Sequence, residues 1–170
     1  MRTHRARIQE TIQAFIDATE ELITRLERLS DQSATRTPKY GDFTPAQIGW
    51  HVGATNQLFT GILTGTAPLV ASPGASDFTD DEFRPAVVPR VQAPALLLPP
   101  AAITRAESIQ FLRASREPLR QALLSLEAER AAGWCVTLPW ATVSLYQLGE
   151  WASGHCWRHI DQLGRAIGEQ

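Results

Sequence analysis

Two histidines near the end of the chain, His155 and His159, lie four residues apart within the segment 149–162. In a helix, residues at this spacing project from one face on successive turns, with Cβ atoms about 5–6 Å apart. At that separation two imidazoles can share one metal ion, and histidine nitrogen is the commonest metal ligand in proteins. The alternative is that both are surface or hydrogen-bonded histidines, because an isolated H-x-x-x-H pair is a weak signal.

A third histidine, His51, is predicted to face the same interior as this pair. Segment 44–63 has the three- and four-residue spacing of an amphipathic helix, and His51 falls on its apolar stripe. His155 and His159 fall on the corresponding stripe of the last predicted helix. Three imidazoles that face one interior are costly to bury unless each finds a hydrogen bond or a metal. A divalent ion at about 2.0–2.1 Å from three nitrogens would remove that cost.

Four amphipathic helices are predicted to position these residues. The first covers about 5–29 and the second about 44–63, while the third starts near Thr104 and the fourth after Thr142 or Ser144. Three of the four starts have the pattern of a capping box, in which a Thr or Ser is followed three residues later by Gln or Glu. These elements, with no convincing strand, predict an all-α fold built as an antiparallel helix bundle.

Three segments break the helical pattern. Residues 64–103 contain seven prolines, which exclude a long uninterrupted helix, and an insertion of this length is often functional or mobile. Within it, 76–83 is compatible with one helical turn and 95–98 with packing over the bundle. Pro118 is expected to kink or interrupt the third helix. Residues 134–140 are interpreted as a short apolar connection.

Length and composition are typical of one domain over residues 1–170, since 44% of the residues are hydrophobic. The net charge of −2 gives no electrostatic reason to expect a nucleic acid partner. No apolar run approaches the ~18–20 residues that span a bilayer, so no membrane partner is expected. Cys135 and Cys156 form no disulfide framework, and the default compartment is therefore the cytoplasm. His4 is expected at the surface.

Four further side chains are candidates for the neighbourhood of the histidines. Gln47, Thr55 and Gln162 are aligned to hydrogen-bond an imidazole or approach a metal, although polar packing is the preferred interpretation for all three. Trp151 is assigned to packing by default, with a substrate-facing role open.

No carboxylate occupies the position of an in-helix general base. Glu150 is rotated by about 140° from His155 at 3.6 residues per turn, and Asp161 points to nearly the opposite face from His159. The catalytic residues are therefore not assigned from the sequence.

The segments TPAQIGWHV at 44–52 and HCWRH at 155–159 resemble the DinB-like metalloprotein superfamily. This resemblance implies a four-helix bundle of the up-down-down-up type, in which His51, His155 and His159 bind one divalent transition metal. Nickel, zinc and iron are the metals implied, and a homodimer is the implied assembly. The proline-rich insertion looks longer than the usual link in this superfamily, so contacts with substrate carry over poorly.

The same resemblance implies thiol-dependent chemistry on a small-molecule substrate. The leading hypothesis is an S-transferase that uses a low-molecular-weight thiol of the bacillithiol or mycothiol type, since a three-histidine site leaves coordination positions open. A metal-dependent hydrolase is the second hypothesis, and it needs a base from elsewhere, for instance Asp77, Asp80, Asp81 or Glu82. A non-catalytic metal-binding dimer is the third hypothesis, and a bundle without metal is the fourth.

Overall fold

The computed structural model describes residues 3–38, 43–83 and 92–168 of the chain. Within these ranges the helices are α1 (His4–Glu27), α2 (Asp31–Thr35), α3 (Pro45–Thr64), α4 (Arg105–Leu124), α5 (Ala128–Gly133) and α6 (Leu145–Ile167). The strands are β1 (Ser72–Pro73), β2 (Trp134–Leu138) and β3 (Ala141–Ser144), which form one small sheet. The fold is therefore predominantly α-helical, as the sequence predicts. In the described part of the chain, no helix combines the length and apolar character needed to cross a membrane.

The capping residues begin the long helices where the sequence predicts. Thr44, Thr104 and Ser144 each accept a hydrogen bond from the backbone N–H three residues later, and the Gln or Glu there bonds back. Each such cap stabilises its helix by about 1 kcal/mol. α3 and α6 end at Gly65 and Gly168, whose φ angles of 79° and 82° lie in the left-handed region that glycine tolerates. The sequence therefore predicts these boundaries to within a residue or two.

The directions of the four long helices follow from two hydrophobic clusters in the bundle. α1 and α6 contribute their first halves to one cluster, for example Phe15 and Leu148, and their second halves to the other. α3 and α4 do the reverse, so Phe59 and Leu119 from their second halves lie in the first cluster. α1 and α6 therefore run one way, and α3 and α4 run the other way. This is the predicted up-down-down-up arrangement.

Small residues on α3 allow α3 and α4 to pack closely. A Cβ atom at Gly53 would lie 2.8 Å from Cδ1 of Phe111 on α4, which is too close for normal packing. One turn further on, the buried Asn56 side chain donates a 3.0 Å hydrogen bond to Ser115 Oγ. This contact fixes the register between the two parallel helices and so the height at which α3 presents His51.

The segment 134–140, interpreted from sequence as a connection, is instead the first half of a β-hairpin. β2 pairs antiparallel with β3, so Val136 lies opposite Val143 and Leu138 opposite Ala141, and β1 pairs with the other edge of β2. The two valines and Leu138 are buried in the first hydrophobic cluster. The expectation of no strand is therefore wrong here. Strands of four and five residues are too short for alternation to stand out, and they are stabilised by burial against the bundle.

The interruption considered at Pro118 does not occur, because α4 is continuous from residue 105 to residue 124. A proline removes one backbone hydrogen bond and strains the preceding turn. Leu112 and Ser115 before the proline, and Leu119 and Leu123 after it, are buried against the other helices. Packing on both sides therefore holds the helix together across the lost bond.

The first part of the proline-rich insertion is attached to α1 and α6 by a cluster around Arg7. The Arg7 guanidinium hydrogen-bonds to Asp80 of the insertion and to Glu150 of α6, and it lies 4.1 Å from the Tyr146 ring. His4 also contacts Tyr146 and is half-buried, not exposed as expected, because α1 packs beside the start of α6. The predicted turn at 76–83 is present as a hydrogen bond from Phe83 N to Thr79 O.

The later part of the insertion packs over the bundle, as the sequence predicts. Ala95–Leu97 forms one turn of 3-10 helix with Leu97 buried, and Gln47 Nε2 donates to the carbonyl oxygen of Pro100 at 3.1 Å. Of the seven prolines, Pro85 and Pro89 lie outside the described residues. The described part of the insertion thus forms ordered contacts at both of its ends.

Candidate metal centre

The three predicted histidines meet where α3 passes α6. His51 lies in the first half of α3, and His155 and His159 lie on successive turns of α6. The ring centroids are 5.2 Å apart for His51 and His155, 4.7 Å for His51 and His159, and 4.4 Å for His155 and His159. His51 and His155 are buried, with 4% and 8% exposure, whereas His159 retains a partly exposed edge. The antiparallel packing of α3 and α6 therefore brings residues more than 100 positions apart into one cluster.

The ring nitrogens of this cluster have spacings that suit one metal ion. His155 Nε2 and His159 Nε2 are 3.1 Å apart, and the candidate ligand nitrogens of all three residues lie within 4.8 Å of one another. Two nitrogens at about 2.0–2.1 Å from a tetrahedral ion are about 3.3 Å from each other. The pair on α6 already has this separation. The cluster is therefore compatible with metal binding.

Hydrogen bonds on the outer side of two rings orient their inner nitrogens toward the cluster. His51 Nδ1 lies 2.9 Å from the carbonyl oxygen of Leu97, and His159 Nδ1 lies 2.7 Å from Gln162 Oε1. Both partners are acceptors, so each Nδ1 carries the proton and each Nε2 keeps its lone pair for the interior. Metal-binding histidines commonly have such an acceptor on the far nitrogen, which fixes the tautomer and the orientation of the ring.

All three imidazoles are held in the neutral form that binds metal. Burial lowers the pKa of each ring, and for His159 the pKa falls to about 3. A positive charge on a neighbouring imidazole or on Arg158 disfavours protonation of His155 and His159. These charges therefore lower the pKa of both rings further. Neutral imidazole is a ligand for zinc, nickel, iron and copper. The donor set thus fits a divalent transition metal.

A cavity of about 680 Å³ opens beside the three histidines. Its walls come from α3, the insertion turn, the β2–β3 hairpin and α6, and they are mainly apolar. Trp140 and Trp151 pack edge to face in this wall with ring centroids 5.0 Å apart, and Trp151 also packs edge to face with His155 at 6.0 Å. The volume lies in the range of about 300–1,000 Å³ that is typical of small-molecule sites.

The other candidate neighbours occupy different positions. Thr55 and Trp151 line the cavity beside the histidines, and Thr55 Oγ1 donates to the carbonyl oxygen of His51. Gln162 contacts His159 directly. Gln47 is not among the residues that line the cavity, because its side chain caps α3 at Thr44 and reaches into the insertion. Gln47, one turn before His51, therefore attaches the insertion to α3 and does not orient a ligand.

Two arginines and one backbone carbonyl at the site were not predicted from the sequence. Arg158 and Arg165 line it, and their spacing of three and ten residues after His155 places them on the same helical face. That spacing was readable in the sequence. The backbone carbonyl of Leu97, which bonds His51, had no sequence signal, because its position depends on how the insertion packs.

Glu150 and three of the four acidic residues considered as possible bases have other partners. Glu150 bonds to Arg7, as does Asp80, while Asp77 accepts a hydrogen bond from the backbone N–H of Thr142. Glu82 caps the turn that begins at Thr79. Among the residues that the structure describes, no aspartate or glutamate lines the cavity.

The cysteines lie apart from this chemistry. Cys156 is fully buried and Cys135 nearly so, and burial raises the pKa of both thiols. The one group of described His, Cys, Asp and Glu side chains with metal-ligand spacing is the three-histidine cluster. The cysteines therefore act as small packing residues.

Comparison with known proteins agrees with this architecture. No curated protein matches the chain. The sequence model of the DinB superfamily matches residues 14–163, a span that includes all three histidines and all four long helices except the first turns of α1 and the end of α6. The chain is a four-helix bundle with a buried three-histidine cluster, and that model matches most of its length. The chain therefore belongs to the DinB superfamily.

Proposed function

We propose that this protein is a metal-dependent enzyme that transfers a low-molecular-weight thiol to a small electrophile. The observation that carries the proposal is the combination of three neutral imidazoles with a cavity in which no described lining residue is a carboxylate. Attack by a thiolate needs no protein carboxylate as general base, whereas attack by water commonly uses one.

The chain's own residues hold and orient the reacting groups. Leu97 O and Gln162 Oε1 fix the tautomers of His51 and His159, so the inner nitrogens face one point. His51, His155 and His159 would hold a divalent nickel, zinc or iron ion, which would act as a Lewis acid and lower the pKa of a bound thiol. In the overall reaction the thiol gives its proton to solvent, its sulfur bonds to the electrophilic carbon, and the leaving group departs with the bonding electrons.

The apolar cavity supplies the second substrate site. Trp140, Trp151 and Phe59 present aromatic surface, with Phe59 and Trp151 in contact at 5.1 Å between ring centroids. Such a wall excludes water from the sulfur and binds the carbon framework of an electrophile through apolar burial.

Metal-dependent hydrolysis and non-catalytic metal binding are the competing functions. Hydrolysis requires a base near the metal, and the acids of the insertion that we considered are Asp77, Asp80, Asp81 and Glu82. None of the four lines the cavity, and three of them are engaged in the hydrogen bonds described above. This placement favours thiol transfer over hydrolysis.

The test is turnover by the metal-loaded protein. The protein, purified without a polyhistidine tag and loaded separately with nickel, zinc and iron, is assayed with bacillithiol and mycothiol against 1-chloro-2,4-dinitrobenzene. We expect turnover that His155→Ala abolishes and that His4→Ala, which removes the one histidine outside the cluster, retains. Hydrolysis of ester or amide panels without thiol turnover would support the hydrolase, and metal binding without either would support the non-catalytic function.

A further inference from the structure

The cavity extends to both sides of the three histidines along α3 and α6. These helices run antiparallel, so residues that follow His51 on α3 lie beside residues that precede His155 on α6. Phe59, eight residues after His51, and Trp151, four residues before His155, accordingly meet with ring centroids 5.1 Å apart. At 1.5 Å per residue, Trp151 is about 6 Å from His155 along the helix axis. We call this part of the cavity the aromatic end, and its walls are Leu58, Phe59, Leu138, Trp140 and Trp151.

The opposite end of the cavity lies beyond His159 and has a more polar wall. Gln162 and Arg165 line it from α6, three and six residues after His159. Phe43, just before α3, also lines the cavity, and its ring centroid is 5.4 Å from that of His51. The histidines therefore lie between two ends of different chemistry.

No charged residue belongs to the described walls of the aromatic end. Apart from the histidines, the charged residues that line the described cavity are Arg158 and Arg165. Both follow His155 on α6, whereas Trp151 precedes it, so they lie on the other side of His155 along the helix axis. Burial of a charge against apolar walls without a partner is costly. The group that suits the aromatic end is therefore uncharged.

The rings at the aromatic end are arranged to pack against a further ring. Trp140 and Trp151 are nearly perpendicular, at 78° and 5.0 Å between centroids, and Phe59 is tilted by 40° relative to Trp151. Aromatic groups prefer such edge-to-face and offset contacts to face-to-face stacks. The whole cavity, at about 680 Å³, is far larger than a metal ion and its waters require, since a water molecule occupies about 30 Å³. An aromatic molecule of one or two rings therefore has space beside the histidines.

We propose that the aromatic end binds the ring of an uncharged aromatic electrophile, while the thiol reaches the histidines from the opposite end. The assignment deepens the proposed function, on which it rests, by naming the class of electrophile and by giving the two substrates separate places. The thiol sulfur bonds to the carbon that bears the leaving group, on or next to the ring. The thiol proton goes to solvent, and the leaving group, such as a halide, departs with the bonding electrons.

The binding test compares 2-naphthamide with its saturated analogue, decahydronaphthalene-2-carboxamide, titrated into the protein by calorimetry with no thiol present. The two probes share their carbon skeleton and their amide, and neither is charged. We expect 2-naphthamide to bind about three- to tenfold more tightly, because only its rings make aromatic contacts with the wall.

Two variants change the aromatic end in different ways. Trp140→Leu removes one ring from the wall, and we expect it to weaken binding of 2-naphthamide and to reduce its advantage over the saturated analogue. Leu58→Trp fills the space, and we expect it to weaken binding by about tenfold or more. Trp157→Leu, the same change as at Trp140 but at an exposed residue that does not line the cavity, is the control and should have no effect.

Three results would overturn the inference. The first is equal binding of the two amides, the second is no binding of either at millimolar concentration, and the third is a folded Leu58→Trp protein that binds 2-naphthamide like the wild type. Circular dichroism and metal content of each variant show whether it is folded and loaded.

Inhibition kinetics test the separate places of the two substrates. In turnover of bacillithiol with 1-chloro-2,4-dinitrobenzene, we expect 2-naphthamide to compete with the electrophile and not with the thiol. Competition with the thiol alone would refute the placement of the electrophile at the aromatic end.

The two proposals fail separately in these experiments. Selective binding of 2-naphthamide that Leu58→Trp abolishes, without any thiol turnover, would keep the aromatic site and refute the transferase. Thiol turnover that neither 2-naphthamide nor Leu58→Trp affects would keep the transferase and refute the aromatic site.

Discussion

Replacing Gln162 by leucine tests whether the hydrogen bond behind His159 sets the affinity of the cluster for metal. Gln162 Oε1 accepts from His159 Nδ1 at 2.7 Å, which directs the lone pair of Nε2 toward the other two rings. Loss of such an acceptor typically reduces metal affinity by 10–100-fold, or about 1.4–2.8 kcal/mol. His159 is partly exposed, so water can replace the amide oxygen, and we expect the lower end of this range, about tenfold.

The assay is competition for zinc against a chromophoric chelator at fixed pH. Gln162→Glu retains an acceptor and is expected to bind zinc at least as tightly as the wild type, since a carboxylate is the stronger partner for a ligand imidazole. Gln110→Leu, a change of an exposed glutamine on α4, is the control and should leave the affinity unchanged. Equal zinc affinity in Gln162→Leu and wild type would refute the claim that this hydrogen bond orients a ligand.

Three further predictions address the scaffold and the ionisation of the site. Gly53→Ala places a Cβ atom 2.8 Å from a ring carbon of Phe111 on α4, and we expect it to lower the free energy of unfolding in urea by about 1–3 kcal/mol. Gly133→Ala, whose Cβ atom meets open space, should lower it far less. Arg7→Met removes the hydrogen bonds from Arg7 to Asp80 of the insertion and to Glu150 of α6. Amide exchange in 76–83 should therefore become about tenfold faster, while exchange in the long helices stays the same. In the metal-free protein, the free energy of unfolding should fall as the pH drops from 6.5 toward 3, because the unfolded chain takes up protons that the buried imidazoles do not. His159→Gln should make this dependence of the free energy of unfolding on pH less steep. An unchanged slope in this variant would contradict the lowered pKa of His159.

The parts of the fold that were predictable are those specified by neighbouring residues in the sequence. The capping boxes at Thr44, Thr104 and Ser144 depend on residues three positions apart, and they identified three helix starts. The apolar stripes then placed the three histidines in the interior. Up-down-down-up connectivity came from the resemblance, since periodicity alone does not determine the order of helices around a bundle.

The parts that were missed depend on contacts between distant segments. The hairpin at Val136 and Val143 is stabilised by burial against the bundle and by pairing with residues of the insertion, neither of which is local. Pro118 signals a break that packing on both sides of it overrides. At the site, the acceptor for His51 is a backbone carbonyl from the insertion, and no residue type encodes it.

Metal content shows directly whether His51, His155 and His159 bind a transition metal. The protein is purified without a polyhistidine tag, and its metals are quantified by mass spectrometry together with those of His51→Ala, His155→Ala and His4→Ala. We expect about one equivalent of a transition metal in the wild type and in His4→Ala, and a loss of about tenfold or more in His51→Ala and His155→Ala. A wild-type protein that carries no metal and takes up none on titration would contradict this expectation, and the three histidines would then be hydrogen-bonded core residues.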